Sequence, residues 1–95
     1  MLLTFAGPLW YWRGPAPWHF VSVPDDQVAA IASVAPTVSY GWGMIPATVR
    51  LGSSEWTTSL WPKDGGYIVP IKRWVQDAER LDVDDVVELS LTIAS

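Results

Sequence analysis

From Pro46 to Val69 apolar side chains recur at every second position, a period that half-buried strands have and helices do not. Ala47, Val49 and Leu51 fall on one face and Thr48 and Arg50 on the other. Gly52, Ser53 and Ser54 interrupt the pattern, after which Trp56, Thr58 and Leu60 alternate with Glu55, Thr57, Ser59 and Trp61. Pro62 to Gly66 is a second turn by composition, and Tyr67, Ile68 and Val69 follow as a third strand. The first two of these strands are mainly apolar on one face. Such strands pair antiparallel around a single core, because a parallel sheet is apolar on both faces.

The remaining segments extend this pattern. Leu3, Phe5, Leu9 and Tyr11 share one parity in a long first strand with a bulge or bend at Gly7-Pro8, and Trp10 and Trp12 face the other way. Arg13 to Pro17 reads as a turn, and Trp18 to Val23 as the returning strand of a hairpin. Pro24-Asp25-Asp26 opens a helix with carboxylates where the dipole favours them; Val28, Ile31, Ala32 and Ala35 form its apolar face, and Pro36 is expected to end it. Thr37 to Met44, with Gly41-Trp42-Gly43, has no period and is expected to be a loop. Pro70 suits a first helical turn, with Ile71, Trp74, Val75 and Ala78 as one stripe and an end near Leu81. Val87, Leu89, Leu91 and Ile93 alternate in a last strand. About six strands and two short helices are thus expected in one mainly β domain over residues 1–95, a small closed or nearly closed barrel. Strand parity places Phe5, Leu9, Phe20, Val49, Leu51, Leu60, Val87, Leu89 and Leu91 inside it. Trp74 is expected to anchor the second helix in the core, so that its loss costs about 3–5 kcal/mol.

Composition narrows the functional classes. A net charge of −4 argues against a nucleic-acid backbone as partner. The absence of cysteine rules out disulfides, zinc–thiolate sites and thiol nucleophiles and makes a reducing cytoplasm the expected setting. No apolar run reaches the roughly 18–20 residues that span a bilayer. Met1 to Leu9 has no basic segment and contains Gly7 and Pro8, so it reads as a strand and not a signal peptide; a soluble protein without membrane association is expected.

Several blocks resemble a known family. Phe5-x-Gly7-Pro8-Leu9-Trp10, Phe20-Val21-x-Val23-Pro24, Trp56-x-Thr58-Ser59-Leu60-x-Pro62 and Tyr67-Ile68-x-Pro70-Ile71-Lys72 are similar to successive blocks of the bacterial domain-of-unknown-function family nineteen-oh-five. The resemblance implies a compact β-barrel carrying a short helix; some members are fused to a bacteriocin-protection (OmpD-associated) domain. It implies no reaction. Leu81 to Val87 resembles the family's Gly-Asp turn before the last strand, with Asp84 in the usual glycine position, a substitution that a left-handed backbone tolerates in Asp better than in most residues. The family carries arginine where this chain has Thr57 and Gln76, so an anion site built on those arginines would be incomplete here.

Candidate sites follow from charge and aromatic placement. Lys72 and Arg73 fall in the first turn of a second helix that begins at Pro70, where cations oppose the dipole at about 0.3–1 kcal/mol each. Either a local pairing of Arg73 with Asp77 answers this, or a bound anion does. The anion reading gathers Ser59, Lys63, Tyr67, Lys72, Arg73 and Gln76 as ligand-binding residues, with the apolar part of the ligand on a nearby tryptophan. Trp12, Trp42 and Trp61 lie outside the core parity or in a loop and are candidates for contact with a protein partner. His19, the one histidine, has no catalytic neighbour at a familiar spacing and reads as a surface residue, and the acidic run from Asp77 to Asp85 lacks the ligand spacing of a calcium loop. No cofactor, metal or enzymatic activity is expected. The two functions in competition are a module that binds an anionic small molecule or peptide carboxylate and a protein-interaction adaptor.

Overall fold

The computed structural model describes residues 1–14 and 18–94. Seven strands and two helices follow in order: β1 Leu2–Pro8, β2 Trp10–Trp12, β3 Trp18–Ser22, α1 Asp25–Val38, β4 Ile45–Leu51, β5 Ser54–Lys63, β6 Gly66–Pro70, α2 Arg73–Ala78 and β7 Val86–Thr92. All pairings are antiparallel, in the spatial order β1-β7-β4-β5-β6-β3-β2. The strands at the two edges, β1 and β2, are consecutive in the chain and separated by Leu9 alone. One ribbon therefore serves both edges of the sheet, which curls into a nearly closed barrel. The strand count exceeds the expected six because this first ribbon breaks at Leu9, next to the Gly7-Pro8 bend. Leu9 donates to the Asp85 carbonyl (2.9 Å) and accepts from the Asp84 amide (2.8 Å), so the break is tied to the turn before β7. Asp84 takes the left-handed conformation that this turn demands, at φ 76°.

β5 also changes partner along its length: Ser54 to Leu60 pair with β4, and Trp61 to Lys63 with β6. The β5–β6 hairpin closes on Asp64 and Gly65, both at positive φ, the geometry whose twist matches that of the flanking strands. The expected turn was longer; Pro62 and Lys63 remain in the strand. Inside the curl, Phe5, Leu9, Val49, Leu51, Leu60, Val87, Leu89 and Leu91 form the buried core with Val21, Val23 and Val69. α1 adds Ile31, with Val28, Val34, Ala35 and Val38 packed beside it. Pro36 does not end α1, which runs on to Val38. Its missing N–H costs one bond late in the helix, and the Ser39 amide closes the final turn on the Ala35 carbonyl at 2.8 Å. The turn expected from Arg13 to Pro17 falls partly outside the described residues.

Two further expectations are corrected. Phe20 is fully buried, but outside the barrel core: Val21 in β3 and Val23 just after it belong to that core, and Phe20 lies under Trp10, Trp12, Trp18 and Trp61 on the opposite face. The second helix starts at Arg73, not Pro70, and ends at Ala78. Pro70 is the last residue of β6, opposite Phe20, and the Ile71 amide bonds the His19 carbonyl at 2.9 Å, which keeps the chain extended to Lys72. Trp74 consequently turns outward and is 50% exposed, while Ile71 and Val75 are buried.

Candidate functional site

The later start of α2 changes the electrostatics at its beginning. Lys72 is the residue before the helix, and the helix has six residues, so the dipole that its two cations oppose is short. Arg73 bonds Asp77 across one turn (Nε to Oδ1, 3.3 Å), an exposed pair of small energetic value. Among the described residues, Lys72 has no ion-pair partner. Gln76 is 8% exposed and donates its side-chain amide to the Ile71 carbonyl at 2.9 Å, fixing α2 to the extended segment before it.

Lys72, Arg73 and Gln76 line one cleft of about 400 Å³, together with Tyr11, Trp18, His19 and Ile71. The hairpin register brings the aromatic wall together: Tyr11 pairs with His19 across β2 and β3, their rings 4.8 Å apart, and Trp18 pairs with Trp12. Burial, and then the nearby Arg73 guanidinium, hold the His19 pKa below its ordinary value near 6.5. An anion in the cleft offsets the charge of Arg73. Adding one is therefore expected to raise the His19 pKa, as is Arg73→Gln, and an NMR titration of the His19 ring protons checks both shifts.

The six residues expected to share one anion site separate into three places. Lys63 and Tyr67 line a second, more polar cleft of about 320 Å³ with Trp10, Asp25 and Asp64. Gly66, Tyr67 and Ile68 of β6 line this second cleft, and Lys72 lies four residues beyond Ile68, roughly 13 Å along an extended chain. The Lys63 ammonium is held 3.0 Å from Asp64 and lies 5.1 Å from the centre of the Trp12 ring. Ser59 is in neither cleft and hydrogen-bonds the Tyr40 hydroxyl. Tyr11 and His19 were missed, and Trp18 was not separated from the other tryptophans as the one that lines the cleft, because these residues enter it through pairing register, which leaves no mark within either segment.

Trp12, Trp42 and Trp61 do meet. Trp61 lies 6.1 Å from Trp12 and 6.1 Å from Trp42, and it also packs 5.4 Å from Trp18 and 5.0 Å from Phe20. Trp12 and Trp61 are half-buried in this layer, whereas Trp42 is 65% exposed. Trp42 sits in a tight turn closed by mutual backbone bonds between Tyr40 and Met44.

Among the described residues no three His, Asp or Glu side chains are grouped to hold a metal, and no helix is long and apolar enough to cross a membrane. A comparison with curated proteins finds no significant match. The model of the family described as Domain of unknown function (DUF1905) matches residues 5–91, most of the barrel, and the chain belongs to that family.

Proposed function

We propose that the chain is a binding module, without catalysis, whose cleft takes an anionic group carried on a flat apolar body. One observation carries the reading: in a chain of net charge −4, the described residues that line the cleft include two side-chain cations and no carboxylate, Asp77 meeting Arg73 from outside the lining. Lys72 and Arg73 supply charge, and Arg73 also supplies a planar fork of donors suited to carboxylate or phosphate. Tyr11, Trp18 and Ile71 supply an apolar wall for the body attached to that group. The cation attraction depends on the cleft and not on the short helix beside it.

Benzoate and phenyl phosphate are suitable probes. For a dissociation constant near 1 mM, 10 mM probe stabilises the fold by about 1.4 kcal/mol. In a domain of this size that raises Tm by about 5–10 °C. Inorganic phosphate and acetate, which leave the aromatic wall unused, are expected to give less, and the double variant Lys72→Ala, Arg73→Gln is expected to lose the response. Equal effects of benzoate and chloride at constant ionic strength would remove the anion site.

A further inference from the structure

The cleft holds a fixed acceptor beside its cations. Gln76 is 8% exposed, and its side-chain nitrogen is committed to the Ile71 carbonyl at 2.9 Å, which sets both the rotamer and the sense of the amide. Its side-chain oxygen has no hydrogen-bond partner among the described residues, yet it is not sealed off as Gln27 Oε1 and Trp56 Nε1 are. The cleft is the opening that Gln76 lines, so this oxygen is an acceptor held open there. Acceptor and cation are neighbours. The Gln76 backbone amide bonds the Lys72 carbonyl at 3.2 Å, which places the two residues one turn apart, and both line the cleft. Among the described residues Lys72 has no ion-pair partner, whereas Arg73 is in part engaged, its Nε on Asp77 at 3.3 Å. Lys72 is therefore the principal charge open to a ligand.

This pairing of groups restricts the ligand. A plain anion on Lys72 brings its charge up to the negative end of the Gln76 amide, and that buried side chain cannot turn away without giving up the Ile71 carbonyl. Both groups are satisfied when the ligand carries an N–H donor next to its anion. An acylated α-amino acid has this arrangement, with amide N–H and carboxylate on the same carbon and the side chain as a third branch for the wall of Tyr11 and Ile71. A free amino acid does not, because its ammonium group would face Lys72 and Arg73. The volume of about 400 Å³ is near the lower end for ligand clefts and suits one such unit better than a long segment. We infer that the cleft recognises an N-acylated α-amino acid carboxylate, as a free acylamino acid or as the last residue of a peptide, with the carboxylate at Lys72 and the amide N–H on Gln76 Oε1. The inference rests on the anion reading of the cleft and names the class of ligand. The six-residue α2 contributes side chains to this site and not its terminus.

The test compares four probes by calorimetry: N-acetylphenylalanine, its ester isostere O-acetyl-3-phenyllactate, in which oxygen replaces the N–H, N-acetylphenylalanine amide and benzoate. N-acetylphenylalanine is expected to bind about tenfold more tightly than the ester, which leaves the Gln76 oxygen unpaired, and about tenfold more tightly than the uncharged amide. Free phenylalanine is expected to bind at least about tenfold more weakly than its acetyl derivative. In Gln76→Leu the preference for N-acetylphenylalanine over the ester should vanish. If that variant does not fold, the side-chain NH₂ signals of Gln76 in the parent protein decide, since N-acetylphenylalanine should shift them more than the ester does. Equal binding of N-acetylphenylalanine and the ester, with benzoate still bound, overturns this inference and leaves the anion cleft standing. Failure of benzoate, with N-acetylphenylalanine amide bound as tightly as the acid, overturns the anion reading and with it this inference. Acetyl-Gly-Gly-Phe separates the two sources: affinity equal to or above that of N-acetylphenylalanine assigns a peptide C-terminus, a tenfold loss assigns a free acylamino acid, and each supports the recognised unit.

Discussion

Phe20→Ala is expected to destabilise the protein by about 3–5 kcal/mol, as much as a central core truncation, although Phe20 lies outside the barrel. The side chain is fully buried, with ring centres at 5.3 Å to Trp10, 5.9 Å to Trp12, 6.4 Å to Trp18 and 5.0 Å to Trp61. Those four indoles would be left over a cavity that none of them can fill without leaving its strand, and packed interiors relax only in part. A domain of this size has roughly 5–15 kcal/mol in total, so the variant sits close to its limit. Urea unfolding should show a lower midpoint. The near-ultraviolet circular dichroism should change with it, because Trp12, Trp18 and Trp61 lose their common support. A cost under about 1 kcal/mol with an unchanged near-ultraviolet spectrum would show that the aromatic layer does not depend on Phe20. The same substitution should weaken any ligand that rests on Trp18, since Trp18 is positioned through this ring.

Phe20 also shows where the sequence stops being legible. In β4, β5 and β7 one parity is mainly apolar and the other mainly Thr, Ser, Arg or Glu, with Trp61 and Val86 as apolar exceptions, so the inward faces of Val49, Leu60 and Leu89 could be read directly. Over β3 and the residue after it both parities are apolar, Trp18 and Phe20 on one side and Val21 and Val23 on the other, and alternation alone cannot say which faces the barrel. The barrel-like architecture and most of the core follow from local pattern. The order of the strands does not: β7 lies between β1 and β4, and β3 beside β6, through pairings of distant segments with no local signal. The cleft suffers from the same limit. Lys72 and Arg73 stood out by charge, but Tyr11 and His19 join them only through the β2–β3 register and through the bond from Ile71 to the His19 carbonyl. Trp12, Trp42 and Trp61 were found because each was out of place in its own segment. That they share one layer with Trp18 required the fold.

Val75→Asp is expected to leave the protein unfolded or without a cooperative transition at 25 °C, whereas Trp74→Ala is expected to cost only about 1–2 kcal/mol. The contrast follows from the true start of α2. Read from Pro70, a helix puts Ile71, Trp74 and Val75 on one stripe; because the chain stays extended through Lys72, Ile71 enters the core from the strand side and Val75 from the helix, while Trp74 is carried to the rim. Val75 is fully buried in the hydrophobic core, where a carboxylate is costly. Trp74 keeps half its surface in solvent and rests edge-to-face on Trp56, ring centres 6.3 Å apart at 79°. The Trp56 indole nitrogen is buried without a hydrogen-bond partner among the described residues. Thermal unfolding of both variants against the parent chain reads the order directly. A larger loss for Trp74→Ala than for Val75→Asp would mean that α2 docks through its outer face, and that the cleft walls set by Ile71 and Gln76 are placed otherwise.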